Sequence, residues 1–276
     1  MIRIVTDSTC DLPADVIARY DIRVVPLYIN VGAKGYLDGV ELTRQEFYAN
    51  LPAWTTPPTT AASSPDSYRT AYEALEREGA TEILSIHISV ALSAVVDTAR
   101  IAAKQMKAIP VTVFDSRQLS LGTGFLVETA AKLAAQGQSM SEIVDALNDQ
   151  IKRSHVFAAL DTLEYLRRSG RMNGVLAAMG SLLQLKPILT MYDGKPGAER
   201  VRTRERAMGR LLEMLREVGA LERAAIIHTN APDRAAELRR QAADLLPPGD
   251  ILTMDLTPVI GTHIGPGVVG FAVVSR

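Results

Sequence analysis

One cysteine, Cys10, stands among 276 residues, which excludes an internal disulfide framework and suits a reducing compartment. Four histidines accompany it without metal-ligand spacing, so neither a metal nor a cofactor is expected. No apolar run approaches the roughly 20 residues that cross a bilayer, and no stable membrane insertion is expected. Met1-Ile2-Arg3 meets a charge at once and opens no apolar signal core, so the expected location is cytoplasmic. Charge of neither sign dominates; a net value of −1 argues against a nucleic-acid partner. The phosphate-loop pattern GxxxxGKS/T and the dinucleotide pattern GxGxxG are both missing, which disfavours the common nucleotide-hydrolysing classes. No internal repeat or low-complexity segment is found.

What is present is apolar material. It makes up 47% of the chain, enough for one large α/β unit or two modest domains. Aromatics contribute only 5%, and alanine is abundant in the helical stretches. The most informative stretch is Glu82 to Met106, EILSIHISVALSAVVDTARIAAKQM. Ile83 to Ile88 alternates and is rich in branched residues, which predicts a buried strand. After Ser89, the residues Leu92, Val95, Val96, Ala99 and Ala103 recur at helical spacing. A strand running into a helix leaves free N–H groups at the turn, and these favour an anion. Ser89 and Ser93 sit there, either as a simple N-cap or as hydroxyls that help hold a carboxylate or phosphate.

Around that stretch the chain alternates strand and helix. Ile2 to Val5 is a strand ending in the polar loop Thr6 to Leu12, and Pro13 suits the first turn of a helix. Ile22 to Val31 reads as a second strand, and Gly32 to Gly35 as a turn. Thr43-Arg44-Gln45-Glu46 is a capping box. Residues 52 to 65 hold four prolines and six hydroxyl residues in fourteen, which predicts an extended surface loop. Ser64-Pro65 then opens a helix through Glu78. Val111 to Phe114 is a strand, Leu126 to Ala135 a helix, and Ser139-Met140-Ser141-Glu142 a second capping box. This order predicts an α/β fold of two domains. Residues 1–153 form a parallel or mixed sheet with helices on both faces, and residues 154–276 form a smaller α/β domain. In the second part the strands are Val156 to Leu160, Leu185 to Tyr192, Glu199 to Arg202, Ala224 to His228 and Ile251 to Leu256. A hairpin turn falls at Asp193-Gly194, helices at Arg204 to Val218 and Arg234 to Leu246, and a buried strand at the C-terminal end.

Few residues can carry chemistry. His263 lies among Gly261, Gly265, Pro266 and Gly267, where the backbone can approach a ligand. There it either binds an oxyanion, carries a proton near neutral pH, or bonds a local carbonyl. His87 reads as a satisfied core histidine. Arg167, Arg168 and Arg171 form one basic cluster and Arg200 to Arg210 another. These are either solvated faces or an acceptor for a phosphate or an acidic partner.

Several pieces together resemble the DegV family of bacterial fatty-acid-binding proteins. They are TDSTCDLP (6–13), PTT (58–60), IHISVALS (86–93), VFDSRQLSLGTG (113–124), LDTLEYLRRSGR (160–171), LLQLKPILTMYDGK (182–195), RVRTRERA (200–207) and IGTHIGPG (260–267). The resemblance implies one long-chain fatty acid held between or beneath two α/β domains, with its carboxylate bound by Thr60 and Ser93. It implies a protein that is not itself an enzyme. It would present the carboxylate to an ATP-dependent fatty acid kinase for acyl phosphate formation, in phospholipid metabolism. His263, Arg171 and Arg202 match residues associated with phosphoryl transfer or kinase docking. Ala61, Ala62 and Ala94 depart from the family pattern of Ser-Gln after the PTT threonine and Gly after Leu-Ser. The competing reading is an enzyme for a small phosphorylated sugar or metabolite, with His263 as acid or base.

Overall fold

Branched and alternating residues build the strands β1 (Ile2–Asp7), β2 (Arg23–Val25), β3 (Tyr28–Val31), β4 (Lys34–Leu37), β5 (Thr59–Ala61), β6 (Glu82–His87) and β7 (Val111–Asp115) in the first part of the chain. The computed structural model describes residues 1–172 and 186–276. A four-stranded parallel sheet runs in the order β2-β1-β6-β7. A parallel sheet needs both faces covered, and the helices supply this. On one face, α3 (Pro65–Arg77) and α4 (Val95–Gln105) pack Tyr68, Tyr72, Val95 and Ala99 against Val5 and Ile83. On the other, α5 (Leu121–Ala135) and α6 (Met140–Arg153) pack Phe125, Leu126 and Leu147 against Ile4, Leu84 and Ile86. Each such fully buried aliphatic side chain contributes about 1.5–3 kcal/mol. The short α1 (Ala14–Arg19) follows the first polar loop, and α2 (Arg44–Asn50) begins at Thr43 with both bonds of its capping box formed.

A six-stranded mixed sheet follows, in the order β10-β9-β8-β13-β11-β12. It comprises β8 (Ser154–Ala159), β9 (Lys186–Tyr192), β10 (Lys195–Val201), β11 (Leu221–His228), β12 (Leu252–Asp255) and β13 (Val269–Ser275). The short α7 (Glu164–Arg168) follows β8. Phe157, Ile226 and Phe271 face α8 (Arg204–Val218) and α9 (Pro232–Gln241). Val156, Ala158, Met191, Ile227 and Ala272 face the other way and share a cluster with α5 and α6. The helix pair is thus packed between two sheets, and helices cover both faces of the parallel one, as the sequence predicts for the α/β class. Between β12 and β13 lies α10 (Pro258–Ile264).

Four local readings are corrected. The strand expected over Ile22 to Val31 is two strands in different sheets. Pro26 removes a ladder donor between them, and β3 pairs with β4 and β5 in a separate antiparallel sheet. The Pro-rich stretch is not wholly irregular, because Thr59–Ala61 pairs with β3. The helix after β6 begins at Val95, not directly after Ser89, whose hydroxyl instead accepts from the Ala91 N–H at 3.2 Å. In the glycine-rich stretch around His263, residues through Ile264 are a helix opened by the N-cap Thr257 and Pro258, and the turn is confined to Pro266–Gly267. Leu182 to Leu185, in one of the family-like pieces and at the start of its strand, lie outside the described residues.

Candidate functional site

Every strand of the parallel sheet sends its C-terminal loop toward the six-stranded sheet. Thr9 after β1, Leu27 after β2, Ile88, Ala91, Leu92 and Ser93 after β6, and Leu119–Ser120 after β7 all line one cavity of about 380 Å³. This is the edge where open α/β sheets bind ligands. The opposite wall is the sheet face that carries Val156, Ala158, Leu189, Met191 and Ile227. Leu256, Val259, Ile260 and Ile264 from α10 and the residues before it close a third side. Among the described lining residues most are apolar, and the polar side chains are Thr9, Thr60, Ser93, Ser120, Arg171, Thr190 and His263.

Thr60 and His263, 203 residues apart, meet at this wall. The Thr60 hydroxyl and the His263 Nε2 lie 2.8 Å apart. Burial pushes the His263 imidazole down to about 4, and the charge of Arg171 pushes in the same direction. The ring is therefore neutral at pH 7. Its Nδ1 is buried without a partner among the described residues. Ser93 sits on the same cavity just before α4, whose first turn leaves N–H groups unpaired within the helix. Arg171 is exposed beyond α7, with its Nη1 donating to the Ser169 carbonyl at 2.7 Å, and also borders the cavity. Thr60, Ser93, Arg171 and His263 are thus brought together. Arg202 is not among the lining residues; it is exposed in the turn between β10 and α8. Four arginines of the basic runs are paired in place. Glu164 pairs with Arg167 and Arg168 at 2.7 and 2.6 Å, Asp161 with Arg204 at 2.7 Å, and Glu199 with Arg210 at 2.7 Å.

The position of α10 is set by a buried cluster that sequence reasoning missed. Asp11 accepts from the Thr257 N–H at 2.9 Å, from Arg44 at 2.9 Å and from the Ser120 hydroxyl at 2.7 Å. Asp38 accepts from the Thr257 hydroxyl. Burial raises the Asp11 carboxyl to about 6, although Arg44 and the two hydrogen bonds pull it back. Tyr48 donates to the Leu256 carbonyl at 3.1 Å, and its ring lies against Gly261. Gly265 ends the helix at φ +75, where a Cβ would sit 2.3 Å from the Tyr165 ring. The usable signal was Thr257-Pro258, an N-cap followed by proline at the first helical position. The Asp11 contact spans 246 residues and leaves no local trace.

A second polar network is sealed. His87 bonds Asp7 through Nδ1 at 3.0 Å and Ser85 through Nε2 at 2.7 Å, and Ser85 also meets Tyr72 at 2.8 Å. Burial alone would raise the Asp7 carboxyl, but His87 and Thr9 hold it below its ordinary value. This serine–histidine–aspartate order resembles a hydrolase relay. All three side chains are fully buried and none lines the cavity, so the network is a satisfied core, as read for His87.

Comparison with known proteins places the chain. The family described as "Uncharacterised protein, DegV family" matches residues 1–276. The chain belongs to the DegV family. A DegV domain-containing protein of Streptomyces coelicolor is 35% identical over 279 residues, covering 100% of this chain and 99% of the relative. Among solved structures, a DegV family protein from Thermus thermophilus, described by its fatty acid binding, superposes with a TM-score of 0.91. It is 36% identical, with 100% of this chain and 99% of that one covered. DegV from Bacillus subtilis, described as a fatty acid binding protein, gives a TM-score of 0.92 at 31% identity and the same coverage. The DegV fold therefore extends over the whole chain. Among the described residues, no helix is long and apolar enough to cross a membrane.

Proposed function

We propose that this protein buries one long-chain fatty acid in the cavity between its sheets. The observation that carries the reading is an apolar cavity of about 380 Å³ with hydroxyls, a neutral imidazole and one arginine on its wall. Each buried methylene contributes about 0.8 kcal/mol, so ten would supply about 8 kcal/mol before the costs of binding. A carboxylate hydrogen bond adds about 1.5–3 kcal/mol. The tail supplies affinity, and Thr60 with Ser93 fixes direction. Hydroxyls and a helix start satisfy the carboxylate while leaving its oxygens open to reaction.

The division of labour is part of the same proposal. The chain divides at residue 153 into an N-terminal unit with the carboxylate loops and a C-terminal unit, 154–276, that walls the tail. An ATP-dependent fatty acid kinase phosphorylates the presented carboxylate. His263 and Arg171 lie beside it, and Arg202 serves docking. The lipid-binding chain is not itself the enzyme. We also propose that it works in the cytoplasm, in phospholipid metabolism, without a nucleic-acid partner.

Length supports an acyl ligand. From Leu160 to Val156 the wall runs about 13 Å along the strand, and from β8 to β10 about 10 Å across, a diagonal of about 16 Å. A carbon zigzag advances about 1.25 Å per bond, so this span takes about 13 bonds of an extended chain. A small phosphorylated metabolite would leave most of that wall empty and would meet Arg171 as the one cation among the described lining residues. Ser93→Ala and Thr60→Ala should each weaken retention about 10- to 150-fold, the range given by one charged hydrogen bond. Retention is read by native mass spectrometry. Wild-type occupancy in both variants would remove these residues from the head-group site.

A further inference from the structure

Strand register identifies what closes the apolar end of the cavity. Along one face, Leu160, Ala158 and Val156 line the wall, with Leu189 opposite Ala158 and Met191 opposite Val156. Helix α10 enters at the Leu160 end, because Val269, which opens β13, pairs with Ala159. Val156 and Met191 are therefore at the end away from His263. Met191 also faces Pro196 on the edge strand β10, and Pro196 lines the cavity too.

Among the described residues, the wall of this strand stops at Met191. Tyr192 points to the other face, where its ring stacks on His155 at 4.5 Å and 9°. The Asp193-Gly194 turn is tied to the first half of the chain. Arg117 donates to Asp193 at 3.0 Å, and the Gly194 N–H donates to the Arg117 carbonyl at 3.1 Å. Met191 is buried, lines the cavity, and is unbranched and longer than its wall neighbours Val156 and Pro196.

We propose that Met191, backed by Val156 and Pro196, is the stop that sets the length of acyl chain the cavity accepts. The inference rests on the fatty-acid reading of the cavity. A methylene that gains buried space raises affinity about fourfold. Met191→Ala frees room for about two methylenes, so the preference should move toward longer chains by up to about 15-fold per added carbon pair. Met191→Phe should move it toward shorter chains.

The test titrates the delipidated full chain with myristic, palmitic, stearic and arachidic acids. It compares wild type, Met191→Ala, Met191→Phe and, as a packing control on the opposite face of β9, Ile188→Val. Opposite shifts of the preferred length in the two Met191 variants, with none in the control, support the stop. The same order of affinities in every protein overturns it while leaving the fatty-acid reading intact. Failure of wild type to bind any of the acids overturns that reading itself. Should Met191→Ala not fold, Met191→Phe carries the test with the opposite sign.

Discussion

A methyl group placed at Gly261 would test how α10 is held. A Cβ there would lie 2.3 Å from the Tyr48 hydroxyl oxygen, 2.9 Å from Cζ and 3.0 Å from Cε1. Tyr48 has little freedom to yield. It is buried, it meets Phe47 edge-on at 5.1 Å, and its hydroxyl donates to Leu256 at 3.1 Å. Either the ring moves and gives up its hydrogen bond, or α10 moves and carries His263 away from Thr60. Overpacking costs about 1–3 kcal/mol and the lost bond about 1 kcal/mol. The better helix propensity of alanine returns about 1 kcal/mol. Gly261→Ala should therefore destabilise by about 1–3 kcal/mol. Tyr48→Phe removes the nearest clashing atom, so the double variant should lose at least about 1 kcal/mol less than the sum of the singles. Denaturant midpoints of the four proteins provide the cycle. Additivity within about 0.5 kcal/mol, or a stabilised Gly261→Ala, would refute the packing described for this helix.

Three further outcomes are expected. Arg171→Ala and Arg202→Ala should keep their lipid, yet the bound acid should be phosphorylated poorly by the kinase proposed as partner; loss of lipid instead would move these residues into the tail pocket. His263 is lowered from 6.5 to about 4 in the folded protein. Its neutral form thus contributes stability that is present above pH 6.5 and is lost as the pH falls toward 4, up to about 3 kcal/mol. Asp11, raised to about 6 from 3.8, acts in the opposite sense: stability is present below its unfolded value and is lost as the pH rises through 6. Comparing wild type with His263→Asn cancels the Asp11 contribution, and the variant should lose less stability between pH 6.5 and 4; identical pH profiles would contradict a buried neutral imidazole.

Local signals read well where local physics decides. The Thr43 and Ser139 capping boxes close with both bonds, and the helix Arg204–Val218 has the limits that its sequence predicts. The misreadings come from glycines and distant partners. Helix α5 begins at Leu121, five residues before the expected Leu126, and holds Gly122 and Gly124, both poor helix formers, in its first turn. Gly124 is glycine because a Cβ would sit 2.4 Å from the Cys10 carbonyl oxygen. Likewise Gly261 masked α10, although it is there to admit Tyr48. Strand β5 was hidden because its partner β3 lies about thirty residues earlier in the chain and no propensity marks that pairing.

The candidate site was legible through resemblance more than through chemistry. PTT, the Ser93 turn and GTHIGPG supplied Thr60, Ser93 and His263 as separate pieces. That Thr60 and His263 touch, and that Asp11 anchors the start of the helix that carries His263, are long-range facts. Pocket depth was also unreadable. It depends on apolar residues of one sheet facing loops of another, and neither periodicity nor spacing records that juxtaposition.

The central claim is a single buried fatty acid. The most direct measurement is mass spectrometry of a solvent extract from the purified protein, taken without delipidation and quantified against protein concentration. The account predicts one long-chain fatty acid per chain. An empty protein that also fails to take up added fatty acids would contradict it and return the cavity to a small-metabolite enzyme.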